Sequence, residues 1–239
     1  MKATLPAIHC ENCSSRGLGV FCELNDNQLQ EFNLAKTTNR YKKGQVIFYE
    51  DNQPFGLYCI FGGKVKLYKE NIDGRAQILR IAGPGDLLGY RSLFAEEPYH
   101  ATAEVLEDAT ICFIDKNFFF KALNQDMTLA RQLIRKLAQQ LRVAEGLATS
   151  LAHRSVRERM AELLLTLQEA YGQKGPKGIK IALELSRAEL AEMIGVTQET
   201  SIRLISEFKK KGWIAVDERV LTILNTKALR EAAHWTALN

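Results

Sequence analysis

Three of the five cysteines fall within thirteen residues, in the passage HCENCSSRGLGVFCEL from His9 to Leu24. Cys10, Cys13 and Cys22 bring soft thiol donors close together in sequence. In a reducing compartment such clusters serve metal binding or redox chemistry more often than crosslinking. A secreted disulfide fold is a poor account, because the number of cysteines is odd, the chain has 239 residues and no apolar run with a cleavage site precedes the cluster. A cytoplasmic location is therefore expected. Other chemistry is sparse: His9, His100, His153 and His234 are scattered, and there is no Walker loop, G-x-S-x-G or His-rich metal motif, so an enzyme is not expected.

The elements that must position these thiols follow from pattern. With 46 % apolar and 25 % charged residues the chain is long enough for two modest domains, and no stretch approaches a bilayer span, so no membrane contact is expected. From about Arg40 to Asp115 short β-rich runs (QVIFYE, GLYCIF, KVKLYKE, AQILRIA, ATAEVL, ATICFI) alternate with turn signals at Gly62-Gly63, Asp73-Gly74 and Gly83 to Asp86. These predict an antiparallel barrel or sandwich. From Met127 to about Ala152 helix formers dominate. There Ala130, Ile134, Leu137, Leu141, Ala144, Ala148 and Leu151 follow steps of four and three, the seam of a parallel coiled-coil homodimer. A second row, Leu129, Leu133 and Leu147, lies beside it and suits packing on the barrel.

The formal net charge of +4 sits mainly in residues 151–239, with 14 Lys+Arg against 11 Asp+Glu, which directs the search for a nucleic-acid contact there. A helix is predicted over Val156 to Tyr171, followed by a loop, GQKGPKG. Ser186 with Glu189 then opens one helix, Gly195 supplies a turn and Thr197 caps the next, giving a helix-turn-helix. WIAVDERVLTIL alternates around a charged turn, as the hairpin wing of a winged helix does. In the second helix Gln198, Glu199, Ile202 and Arg203 share a face near its amino end; Arg203 suits guanine O6 and N7, and Glu199 suits cytosine N4. Lys209, Lys210 and Lys211 read equally as phosphate contacts or as a solvated helix end.

A cysteine-bearing arm, a glycine-rich β-roll, a long dimer helix and SRAELAEMIGVTQETSIRLISEF together resemble the cAMP receptor protein and fumarate-nitrate reduction regulator (CRP/FNR) family of bacterial transcription factors. The resemblance implies an α+β fold: an amino-terminal antiparallel β-roll of the cyclic-nucleotide-binding jelly-roll kind, a long dimerisation helix and a carboxy-terminal winged helix-turn-helix. The corresponding domains are the arm at 1–30, the β-roll at 31–125, the dimerisation helix at 126–153 and the DNA-binding domain at 154–239. Implied partners are double-stranded DNA with a two-fold symmetric operator, a second copy of the chain and RNA polymerase. Glu199-x-x-x-Arg203 matches the family and points to a TTGA or GTGA half-site, with the outer base open because Ile202 stands where a serine precedes the arginine in relatives that prefer TTGAT.

The cyclic-nucleotide branch is disfavoured, since GYRSLFAEEPYHATA puts Tyr90 and His100 where the resemblance places a ribose-binding glutamate and a phosphate-binding arginine. Arg91 is one residue out of register, and side chains on adjacent strand positions face opposite ways. The iron-sulfur branch is closer: its amino-terminal cysteine cluster is marked by IHC, as Ile8-His9-Cys10 is here, and a fourth cysteine sits on a late strand of the β-roll, as Cys112 does. By that resemblance Cys10, Cys13, Cys22 and Cys112 would ligate a 4Fe-4S cluster sensing oxygen or redox state, and Cys59 reads as a core residue. The Cys13-x8-Cys22 spacing is longer than the family pattern. A zinc site, another small ligand, or a constitutive regulator with a merely structural arm are the alternatives. Because every seam position is apolar, a permanent dimer is expected, its signal rotating or ordering recognition helices that must meet two grooves about 34 Å apart.

Overall fold

The computed structural model describes residues 8–234, so the ends of the arm and of the carboxy-terminal domain, 1–7 and 235–239, lie outside the described residues. The chain forms two compact units, one running to Lys69 and from Ile78 to Leu141, the other comprising Glu70–Gln77 and the chain from Arg142. It is an α+β protein, with the β-roll and the winged helix-turn-helix in separate units.

In the first unit a single 3-10 turn at Arg16–Leu18 precedes α1 (Asp26–Ala35), whose start is fixed by reciprocal bonds between Asn25 and Gln28. Then follow β1 (Lys36–Tyr41), β2 (Val46–Phe48), β3 (Gly56–Glu70), β4 (Ala76–Ala82), β5 (Leu87–Leu88), α2 (Tyr90–Ala95), β6 (Thr102–Asp115), α3 (Lys116–Gln125) and α4 (Met127–His153). The sheet order is β1-β6-β3-β4, with β2 on β6 and β5 on β3. One face buries Ile60, Val65, Ala103, Val105 and Ile111 inside the roll. The other face, with Leu57 and Ile114, is covered by Val20 and Leu24 of the arm, Leu29 and Phe32 of α1 and Leu129 and Leu133 of α4. Leu129 and Leu133 of the second apolar row of α4 therefore pack on the roll, whereas Leu147 is not part of that core.

Two local expectations are corrected. Gly62 and Gly63 do not close a turn between two strands, because β3 continues through them and pairs with the equally continuous β6, with register shifts around Gly62. Gly63 has φ +86, and a Cβ there would stand 2.4 Å from the Asp108 carbonyl oxygen, so a glycine is needed where β3 passes β6 with its register shifted. The GYRSLFA segment is not a strand either: Gly89 at φ +83 starts the short helix α2. The argument that Arg91 faces away because strand neighbours alternate therefore fails. Tyr90 is buried for another reason, namely that its ring packs in the core and its hydroxyl donates to Gln140 Oε1 at 2.5 Å.

The second unit contains α5 (Val156–Tyr171), β7 (Gly172–Gly175), β8 (Gly178–Ile181), α6 (Arg187–Ile194), α7 (Gln198–Lys210), β9 (Ile214–Asp217), β10 (Val220–Ile223) and α8 (Thr226–Ala232). The sheet order is β7-β8-β10-β9, so GQKGPKG forms a hairpin of its own rather than a plain loop. The Ser186/Glu189 capping box, Gly195 at φ +67 and the Thr197 cap lie where local chemistry places them.

The arm is held against the roll by an approach that only glycine permits. A Cβ at Gly19 would lie 2.4 Å from the carbonyl oxygen of Gly85, itself in the turn before β5, whereas one at Gly17 would meet nothing within 4 Å. Arg16 ties the same loop down by donating from Nη2 to the Leu24 carbonyl at 2.7 Å. Gly19→Ala should therefore loosen the arm and lower stability by about 1–3 kcal/mol, while Gly17→Ala stays within about 0.5 kcal/mol of the parent. Urea unfolding together with limited proteolysis of the arm checks this; equal behaviour of the two variants would contradict it.

Candidate metal centre and nucleic-acid interface

The thiols of the arm meet those of the sheet around one cavity. Cys10 and Cys13 from the arm, Cys59 from β3 and Cys112 from β6 line it, with Lys36, Phe21 and Phe32 among the other walls. Cys22 is half-buried and is not among the lining residues. The structure thus brings together Cys10, Cys13 and Cys112 of the four sequence candidates and adds Cys59, which sequence reasoning assigned to the core. Its signal was available only across strands: Cys59 pairs directly with Cys112 in the β3-β6 register, and nothing along the chain reveals that.

Each thiol has defined neighbours. The Cys10 amide donates to Asn33 Oδ1 at 2.7 Å, and Lys36 Nζ donates to Cys10 Sγ at 3.1 Å. Lys36 also donates to the Ile8 carbonyl, tying the start of the arm to β1. Cys13 Sγ and Ser15 Oγ share a bond of 3.1 Å, and Cys112 Sγ lies 3.5 Å from Thr38 Oγ1 on the adjacent strand. Burial pushes the Cys10 thiol up, with the Lys36 ammonium pulling the other way. Burial also raises Cys59, reinforced by the neighbouring Cys112, Cys13 and Cys10.

Among the described residues no three His, Cys, Asp or Glu side chains stand together so as to hold a metal ion. A tetrahedral zinc requires its ligands to converge on one point. Four soft thiol donors beside the Lys36 cation are a donor set that an iron-sulfur cluster or a zinc ion would take.

His100 stands where the resemblance places a phosphate-binding arginine. Burial, then Arg91, Lys69 and Arg80, push His100 down to about 4, so it is neutral at physiological pH. Lys69 pairs with Glu50 at 2.8 Å, and Arg80 donates to the Leu87 carbonyl.

In the second unit α7 buries Ser201, Leu204, Ile205 and Phe208 and presents Gln198, Glu199, Ile202 and Arg203 to solvent on its opposite face. The Glu199 carboxyl is held below its usual range by its own backbone N–H and by the Thr197 side chain. Arg157 fixes the far end of the helix by pairing with Glu207 at 2.9 Å and standing over Trp213. Lys211 joins that cluster, 2.7 Å from Glu207, while Lys209 and Lys210 are exposed. On α4 the seam positions Ile134 and Leu141 are 64 % and 61 % exposed in the single chain, and Ala144, Ala148 and Leu151 are exposed too. Ala130 and Leu137 are half-buried, Leu137 packing against the outer core of the roll.

Comparison with known proteins covers both units of the fold. The family model described as a cyclic nucleotide-binding domain matches residues 38–126, and that of a Crp-like helix-turn-helix domain matches residues 158–232. The chain is 28 % identical to the anaerobic regulatory protein of Aggregatibacter actinomycetemcomitans, over 94 % of this chain and 88 % of that one. It is 27 % identical to the fumarate and nitrate reduction regulatory protein of Escherichia coli, over 96 % of this chain and 92 % of that one. Among solved structures it resembles FixK2 from Bradyrhizobium japonicum, with a TM-score of 0.75 and 28 % identity, covering 84 % of this chain and 99 % of that one.

The Lys36 contact makes a prediction about thiol reactivity. Removing the ammonium should leave burial unopposed, so in metal-free protein Lys36→Met moves the titration of Cys10 to higher pH. Mass-resolved iodoacetamide alkylation of Cys10 against pH reads the midpoint; an unchanged or lower midpoint would contradict the contact.

Proposed function

The chain is a DNA-binding transcription regulator of the CRP/FNR family, not an enzyme, and we propose that it acts as a homodimer whose arm and β-roll sense oxygen or redox state through a 4Fe-4S cluster. The observation that carries the sensing half is the gathering of arm and sheet thiols around one cavity. The names of relatives concerned with anaerobic regulation and with fumarate and nitrate reduction support it. Cys10, Cys13 and Cys112 supply three of the four thiolates. When bound, such a cluster supplies a redox-active and oxygen-sensitive group. The chain's own part is to hold that group between a docked arm and a rigid sheet, with Lys36 offsetting negative charge and Phe21 and Phe32 limiting water.

On the DNA side α7 enters the major groove with Arg203 on guanine and Glu199 on the paired cytosine, and Gln198 and Ile202 beside them. Each half of a two-fold symmetric operator meets one copy of the chain, and RNA polymerase is the expected downstream partner. The copies join along Ala130, Ile134, Leu137, Leu141, Ala144, Ala148 and Leu151. No acidic residue interrupts that seam, so the dimer is independent of the cluster and the signal acts on the recognition helices of a permanent dimer.

Three measurements test these parts. Arg203→Ala should cost about 1–3 kcal/mol per half-site and relax the preference at that base in a randomised operator library; an unchanged profile would remove the assignment. Sedimentation at micromolar concentration should give a dimer with and without the cluster and a monomer for Ala144→Asp, whereas a cluster-free monomer of the parent chain would defeat the permanent-dimer reading. Iron and acid-labile sulfide should both be found in protein purified without air. Zinc alone in that preparation would instead favour the structural arm.

A further inference from the structure

Resting on the reading that a cysteine-held cluster occupies this cavity, we propose that Cys59 is its fourth sulfur ligand and that Cys22 lies outside the set. The first argument is register. Cys59 of β3 stands directly opposite Cys112 of β6 in an antiparallel ladder. Directly opposed residues project to the same face of the sheet, their Cβ atoms about 5 Å apart. Alternation on either side fixes which face that is. Leu57 and Ile114, two positions away, pack in the outer core under the arm, while Ile60 and Ile111, one position away, are buried inside the roll. Cys59 therefore faces the arm by the geometry of the strand, independent of its rotamer. β1 completes the surface, since Thr38 pairs with Cys112 and Lys36 with Ile114.

The second argument is the anchoring of Cys22. On one side of it the Phe21 ring lines the cavity and packs on Phe32 with centroids 5.0 Å apart, and on the other Leu24 is buried in the core. The loop is clamped by the Gly19–Gly85 approach and by the Arg16 bond to the Leu24 carbonyl. Between these two anchors Cys22 is half-buried and does not line the cavity. The site then has a preformed half on adjacent strands, Cys59 and Cys112, and a half carried by the docked arm, Cys10 and Cys13. The long Cys13-x8-Cys22 spacing ceases to be a constraint on the cluster.

The test is iron and acid-labile sulfide per protomer, with the sulfur-to-iron charge-transfer absorbance, in the full chain purified without air. Cys22→Ser should retain the parent's content and spectrum, and Cys59→Ala should lose most of both. Cys59→Ser, nearly isosteric, is measured alongside, and thermal melting of the metal-free proteins verifies that the variants fold. A folded Cys59 variant that keeps the parent spectrum, or loss of the cluster in Cys22→Ser, would overturn the assignment while leaving the cluster reading intact. A parent protein with neither iron nor sulfide would overturn that reading and this inference with it.

Discussion

The docking of residues 8–24 over the outer face of β3 and β6 is the contact on which the proposed sensing function depends. Without it, two thiols remain on the sheet and the others leave with the arm. The docking has a polar and an apolar part: Lys36 holds the Ile8 carbonyl and Cys10, Asn33 holds the Cys10 amide, and Val20 and Leu24 enter the core beside α4. Gly19 against Gly85 sets how closely the loop lies. Since Leu129 and Leu133 share that core, the arm rests on the same apolar layer as the helix that carries the seam.

The DNA-reading half is organised differently, by local chemistry at helix ends. Thr197 starts α7 and Gly195 turns the chain before it, so the exposed face of Gln198, Glu199, Ile202 and Arg203 is set within a few residues. The far end is held by the Arg157–Glu207–Lys211 group on Trp213, which removes Lys211 from the free cationic run and leaves Lys209 and Lys210 exposed. Such short-range determinants explain why this part was legible in the sequence: caps and turn glycines act through their own neighbours. The bounds of α4, Met127–His153, were legible from its uninterrupted run of helix formers.

What sequence left hidden depended on partners far along the chain. Gly62-Gly63 looks like a turn, yet whether two glycines reverse a strand or bend it is decided by the continuous partner β6. GYRSLFA lacks the length to declare a helix, and Gly89 at positive φ commits it. The thiols are the sharpest case. Cys22 belongs with Cys10 and Cys13 by spacing, and Cys59 sits in an apolar run, but strand register sets Cys59 beside Cys112, and Cys59 rather than Cys22 lines the cavity with them.

The central claim is that the state of the arm thiols governs DNA binding by the other unit. Fluorescence anisotropy on a duplex with two TTGA-type half-sites measures it directly, comparing one preparation kept without air with the same preparation after exposure, for the parent chain and for Cys112→Ser. The account predicts that air lowers the parent's affinity by about tenfold or more and leaves Cys112→Ser unchanged. Equal affinity of the parent before and after exposure would contradict it.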